Sequence, residues 1–430
     1  MALRTDYSGA FDPEFTLADF SRQALADLGR EYLLSGHLQD RVGLPLVAKR
    51  AGGDFYRRCA IEEWMGASPI YSRRMQRALG FEGNDVGTVF KNLQLEIGAP
   101  QQFMDFQFRL DGPEYGEFWL PHCGALMDVE PFGEASVKLM CHDIEDPTFD
   151  ATAAATHPRM KMRPIHRPPR IPPGRHPHCR WKVFLGDETE TSTPHPNAEV
   201  IAGSRAASLP VTVPGADAEP GGWRDYSGPF DPGFQLEDLS HGALVTVNQE
   251  VALQSHLLAR SFLLVVAQNL GDAAAAELAE AQWTGIAALT AARLQAALQI
   301  PGDDIHAIAR VFQFHPCFHP RTYIDFRVAV TGPRTARIAI GDCPARRESD
   351  AHSWLAGLGT APHRALDAIA TQVNARARCH PAAGSRPGEL AWDVVVDASV
   401  EPLPEPEELG LARLSRGAGF RFERRRNLRE

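Results

Sequence analysis

The sequence predicts an α+β fold built as two tandem homologous modules, each a helical front half followed by an antiparallel β-β-β-α-β sheet. Three observations carry this expectation. An octapeptide recurs 219 positions further on, helical periodicity gives way to strand alternation midway through each copy, and 430 residues suit two domains better than one core.

The repeat comes first. Asp6-Tyr7-Ser8-Gly9-Ala10-Phe11-Asp12-Pro13 returns as Asp225-Tyr226-Ser227-Gly228-Pro229-Phe230-Asp231-Pro232. At the same offset Trp64 and Gly66 match Trp283 and Gly285, and Arg74 matches Arg293. After a shift of one residue, Asp105, Phe106, Cys123 and Ala125 match Asp325, Phe326, Cys343 and Ala345. Register held over that span predicts a duplication. The modules occupy 1–186 and 224–400. Residues 187–223, rich in Thr, Pro, Gly, Ala and Ser without apolar periodicity, are expected as an exposed linker, and 401–430 as an extended tail. Two modules in contact would form a pseudo-dimer, with further self-association open.

Within a module, Leu17, Phe20, Ala24, Leu25, Leu28 and Tyr32 fall at helical spacing, as do Cys59, Trp64, Met65, Met75 and Leu79 with local breaks. In the second copy, Asp272 to Leu298 is a strong helix former. The period then changes. Phe103 to Leu110 alternates and Asp111-Gly112-Pro113 turns it. Glu117 to His122, Ser136 to Cys141 and Arg180 to Leu185 supply three more expected strands, with a short helix over Asp150 to Thr156.

A formal charge of −10 argues against a duplex nucleic-acid binder, and the short basic end Arg421-Phe422-Glu423-Arg424-Arg425-Arg426 reads as a solvated terminus. The apolar runs fall short of a membrane span, and Met1 to Phe15 has no apolar signal region. With seven cysteines in a long chain, reduced thiols or thiolate ligands in the cytoplasm are expected.

Chemistry-bearing residues gather in the first copy. His122-Cys123, Cys141-His142-Asp143 and His178-Cys179 are the foremost, with His157, His166 and His176 beside them. On the expected strands Cys123 and Cys141 end neighbours and Cys179 opens the last. Converging thiols and imidazoles suit zinc or iron, with Cys123, Cys141, Cys179, His122 and His178 as candidate ligands. The same set suits thiolate catalysis by Cys123 or Cys141, aided by His142 and Asp143. Arg159, Lys161, Arg163, Arg167 and Arg170 form either an anion-binding wall or a solvated face. The second copy has Asp342 at the position of His122 and nothing matching Cys141-His142-Asp143, which predicts a degenerate, structural module.

The order Cys123, Cys141 with Asp143, then Gly174 and Cys179 before a strand resembles the L-2-amino-thiazoline-4-carboxylic acid hydrolase-like proteins. The likeness covers about residues 20 to 186, and a worn form covers about 240 to 398. The chain departs from that pattern at three places. No proline follows Cys123, one residue rather than two separates Cys141 from Asp143, and four separate Gly174 from Cys179. The resemblance implies a hydrolase that opens a small C–N or C–S heterocycle or an amidine-type carboxylate, through metal-bound water or a thiolate. A cofactor-binding or redox module holding an iron–sulfur cluster or haem is the alternative from a different class, and a metal-stabilised, non-catalytic scaffold is a third.

Overall fold

The computed structural model describes residues 3–186, 189–359 and 361–424. The start of the expected linker, 187–188, and the last residues of the basic end, 425–430, lie outside them. The fold is mixed α+β, with two four-stranded antiparallel sheets.

The first half opens with helices α1 (Arg22–Leu38), α2 (Asp40–Ala51), α3 (Gly53–Ala78) and α4 (Val86–Leu93). Ser21 caps α1 by accepting from the Ala24 amide, and Asp85 caps α4 by accepting from Thr88. Strands β1 (Gln107–Gly112) and β2 (Tyr115–Leu120) form a hairpin, followed by helices α5 (Gly124–Val129) and α6 (Glu134–Lys138). A π-helical segment, Leu139–Ile144, runs into α7 (Glu145–Ala154), and strands β3 (Lys161–His166) and β4 (Cys179–Phe184) complete the sheet in the order β1-β2-β4-β3. Trp181 on β4 lies opposite Phe118 on β2 and meets Phe149 of α7 edge-on at 4.9 Å, so α7 is pinned to the sheet face by aromatic packing.

The second half carries α10 (His241–Leu270), α11 (Asp272–Ala297), α12 (Ile305–Phe314), β5 (Phe326–Gly332), β6 (Thr335–Ile340), α13 (Arg364–Val373), β7 (Ala377–Ala382) and β8 (Leu390–Val396). Between the halves lie α8 (Pro196–Ala202) and α9 (Arg205–Ser208), and α14 (Glu407–Arg413) follows the last strand. The second sheet has the order β5-β6-β8-β7. Helix α10 packs on α1 and α3, so the two halves share one helical core. It is long and apolar enough to cross a membrane, and 94% of its apolar window is buried within the protein.

Two expectations about elements are corrected. Ser136 to Cys141 is not a strand but the end of α6 and the start of the π segment. Val137, Cys141 and Ile144 are its buried positions, spaced by four and three as in a helix. The missing strand is β3, and the sheet connectivity is β-β-α-β-β. As an edge strand with only Met162 fully buried, β3 shows no alternation, and its Pro164 is tolerated because edge strands can forgo a ladder hydrogen bond. The expected exposed linker instead contains α8 and α9, which bury Ala198, Ile201 and Ala206, and the tail buries Leu409 and Ala412 through α14.

Helix α8 lies on α3 and α14 lies on α11, each over a glycine. A Cβ on Gly285 would stand 2.7 Å from the Glu408 carbonyl oxygen, and one on Gly66 would collide with the Ser261 hydroxyl and press on Asn197. Contacts between the halves also come in pairs. The Tyr7 amide donates to the Leu298 carbonyl and the Tyr226 amide to that of Leu79, both at 2.8 Å. The Tyr7 hydroxyl donates to Gln313 and that of Tyr226 to Gln94. Arg74 pairs with Glu250, as Arg293 does with Glu31.

Candidate functional site

Cys123 caps α5, its sulfur accepting from the Leu126 amide at 3.4 Å and lying 3.8 Å from the Met104 sulfur. Cys141 sits in the π segment and Cys179 opens β4 opposite Leu120. Cys123 and Cys141 therefore do not end neighbouring strands as expected, because the segment before Cys141 is helical. All three thiols are buried, and Cys141 lies within electrostatic reach of the other two and of Glu145. Burial pushes the Cys123 thiol up to about 12 and those of Cys141 and Cys179 well above the ordinary thiol range, and the charge of Glu145 adds to each. At neutral pH these are thiols, not thiolates.

The other predicted residues turn elsewhere. The His142 Nε2 is 2.7 Å from the Pro168 carbonyl oxygen. Asp143 has a side chain 46% exposed and lies 3.6 Å from Arg57. No Cys–His–Asp relay forms, because three consecutive residues of a helix point in three directions. His122 and His178 have ring centroids 6.5 Å apart, with His176 4.9 Å from His178. Burial, then the nearby Arg170 and histidine charges, lower His178 to about 4. Among the described residues, no three or more His, Cys, Asp or Glu side chains are arranged to hold a metal ion. The basic run is largely neutralised: Lys161 and Arg163 pair with Asp150, Arg167 with Asp146 and Arg170 with Glu130. That pairing leaves little of an anion-binding wall.

A cavity of about 90 Å³ opens instead between the front helices and the π segment. His37, Asp40, Arg41, Trp64, Glu96 and Glu145 line it, with Met104, Phe106, Met140 and Phe149 as apolar wall. Glu63 lies fully buried behind Asp40. One Asp40 oxygen accepts from the Trp64 indole at 2.9 Å. The other Asp40 oxygen, both Glu63 oxygens and one Glu96 oxygen are buried and find no hydrogen-bond partner among the described residues. Burial raises Asp40 despite Arg41 and the indole; burial and then the charge of Asp40 raise Glu63 well above the carboxylate range. Burial also brings Glu96 up to about 8, and Glu145 up to about 8 against the pull of Arg167.

Arg41 and His37 fix one edge. Arg41 donates to Asp128 at 2.9 Å and to His37 Nε2 at 3.2 Å, while His37 Nδ1 faces the Ile97 carbonyl at 3.2 Å. An arginine can only donate, so His37 is the neutral Nδ1–H tautomer, and burial with the Arg41 charge lowers it to about 3. His37 and Asp40 lie three residues apart where α1 meets α2, and the π segment turns Met140 and Ile144 into the wall beside Glu145. Carboxyl groups near 8 in a small cavity are suited to trading protons at neutral pH and to receiving a cation. Sequence reasoning passed over these residues because each sits within a helix or its adjoining turn, where an acid reads as part of a solvated face. Comparison with protein-family models, curated proteins and solved structures finds no match to the chain.

Proposed function

We propose that the chain is a tandem duplication in which the first module is a hydrolase-like site for a small cation of the amidine type, and the second a degenerate copy completing a pseudo-dimer. The carrying observation is the partnerless carboxyl oxygens of Asp40 and Glu96 at one cavity, with those of Glu63 buried within electrostatic reach of Asp40. A buried acid without partners costs stability unless a ligand satisfies it. At the repeat offset these positions are Ala259, Gln282 and His315, while His37, Arg41 and Trp64 keep their types as His256, Arg260 and Trp283. Gln282 accepts from the Trp354 indole at 2.9 Å, and His315 faces the Ala287 carbonyl at 3.1 Å, so two of the three acids are replaced in the second copy by side chains with partners of their own. The like order of the two sheets and the paired contacts across the halves support the duplication.

In this reading an amidinium head enters the cavity and draws one carboxyl group into its ionised form, releasing a proton. An ionised carboxylate then removes a proton from water as the water oxygen bonds to the amidinium carbon. The C–N bond breaks as a neighbouring carboxylic acid, Glu96 or Glu145, protonates the leaving nitrogen, giving an amide and ammonium. Neutral buried thiols favour this route over thiolate attack. Arg41 is already paired with Asp128, so the positive head, rather than a carboxylate, is the group the cavity selects.

Acetamidine titration followed by calorimetry tests the reading, with ammonia release measured in parallel. Affinity should rise up to about tenfold per pH unit between pH 6 and 8, as one proton is released per cation bound, and Glu96→Gln should weaken binding by roughly tenfold or more. Binding without ammonia release would make the first module a binding domain. No binding at any pH would overturn the proposal.

A further inference from the structure

A second cavity, of about 310 Å³, lies outside the first and shares Asp40, Arg41 and Met140 with it. The two adjoin across these three residues, and the smaller is called the inner chamber and the larger the outer mouth. The chambers differ in chemistry. The inner one is acidic and small, about 90 Å³. The outer one is walled by Pro45, Val129, Phe132, Leu139, Leu411 and Leu414. Phe132 and Leu414 are each 68% exposed, among the most exposed large apolar side chains of the described residues. Single exposed apolar residues need no explanation, but two at one mouth, 282 positions apart in sequence, form an apolar patch beside a polar chamber.

The second half supplies part of this mouth. Leu411 belongs to α14, and Leu414 and Ser415 follow it. Ser415 donates its hydroxyl to Asp128 at 2.7 Å and the Arg416 amide donates to the other Asp128 oxygen at 2.7 Å. Asp128 also holds Arg41 at the neck, so one carboxylate ties the C-terminal segment to the passage.

We infer that the ligand is an amphipathic cation, with a compact amidine or guanidine head in the inner chamber and an alkyl or aryl body in the outer mouth against Phe132, Leu139 and Leu414. The inference rests on the cationic-head reading above and adds the substrate's second half. The inner chamber alone is too small for more than a head group, and the apolar mouth adjoins it across Asp40, Arg41 and Met140. The flexible Met140 at the junction adapts to the connecting atoms.

Linear amidines of increasing length, from acetamidine to hexanamidine, are titrated into the full chain by calorimetry. Burial of each methylene should tighten binding roughly threefold to fourfold, so hexanamidine should exceed acetamidine by on the order of a hundredfold. Phe132→Ser and Leu414→Ser should each shrink that ratio several-fold, whereas Val213→Ser, an exposed apolar site away from both chambers, should keep it. A ratio near one in the wild type, or a ratio untouched by both mouth variants, overturns the amphipathic ligand while leaving the cationic head intact. Failure of every amidine to bind overturns both.

Discussion

Glu96 and Glu145 are acids that burial keeps neutral at physiological pH, and this has a measurable consequence for stability. Each is brought up to about 8, against an ordinary glutamate value of about 4.3 when unfolded. The folded state therefore holds protons that the unfolded chain releases, so their contribution is complete below about pH 4.3 and is lost as pH rises through 8. The buried histidines His37, His178, His256 and His315 are shifted the other way, to about 3 or 4, and oppose this slope only below about pH 6.5. Between pH 6.5 and 7.5 the protein should lose stability as pH rises, and Glu96→Gln should remove up to about 1.4 kcal/mol per pH unit of that loss. Denaturant midpoints of both proteins across that window decide it; identical slopes would mean that Glu96 is ionised in the folded state. The same residues mark the limit of what the sequence discloses. Cysteines and histidines advertise chemistry by type, whereas Asp40, Glu63 and Glu96 look like ordinary surface acids. Only their replacement by Ala259, Gln282 and His315 across the repeat singles them out.

At the scale of elements, the front helices and strands β1, β2 and β4 were legible because their apolar residues keep the period of the element, as in the alternating burial of β4. The segment from Glu134 to Ala154 was not, since Ser136-Val137-Lys138-Leu139 alternates polar and apolar as a strand does, over a stretch too short to show the helical period. The π segment is what aims Met140 and Ile144 at the cavity beside Glu145. Removing one residue from the π segment should restore regular α-helical hydrogen bonding across it and re-aim Met140 relative to Glu145. Deletion of Asp143 is the mildest choice, because its side chain is half exposed and its 3.6 Å pairing with Arg57 is of the kind that contributes about 0–1 kcal/mol. The expected outcome is a folded protein by circular dichroism, with acetamidine affinity reduced tenfold or more. Wild-type affinity in the deletion would show that the wall carried by the π segment has no part in binding.

For the whole molecule, the decisive feature is that the halves do not keep separate cores. Helix α10 covers α1 and α3, and buried charges are paired across the halves: Arg74 with Glu250, Arg293 with Glu31, and Arg30 with Glu237. Arg74 also donates to the carbonyls of Ala207 and Leu209, and Arg293 to those of Gly417 and Ala418, so each pair fastens the segment that follows α8 or α14. Removing one partner strands a buried charge, which typically costs about 3–5 kcal/mol. Burial already raises Glu31 against the pull of Arg293, so in Arg293→Met it should take up a proton more readily, and the loss should be smaller at pH 5 than at pH 8. If the core is shared, this one substitution lowers the stability of both sheets together. Tryptophan fluorescence follows Trp181 in the first sheet and Trp392 in the second, while far-ultraviolet circular dichroism follows the helices. Variants keeping Trp181 or Trp392 as their single tryptophan, each unfolded in urea with and without Arg293→Met, should give coincident transitions that move by the same amount. Transitions that separate, with only the Trp392 signal shifting, would mean that the halves unfold as independent units joined by their ion pairs alone.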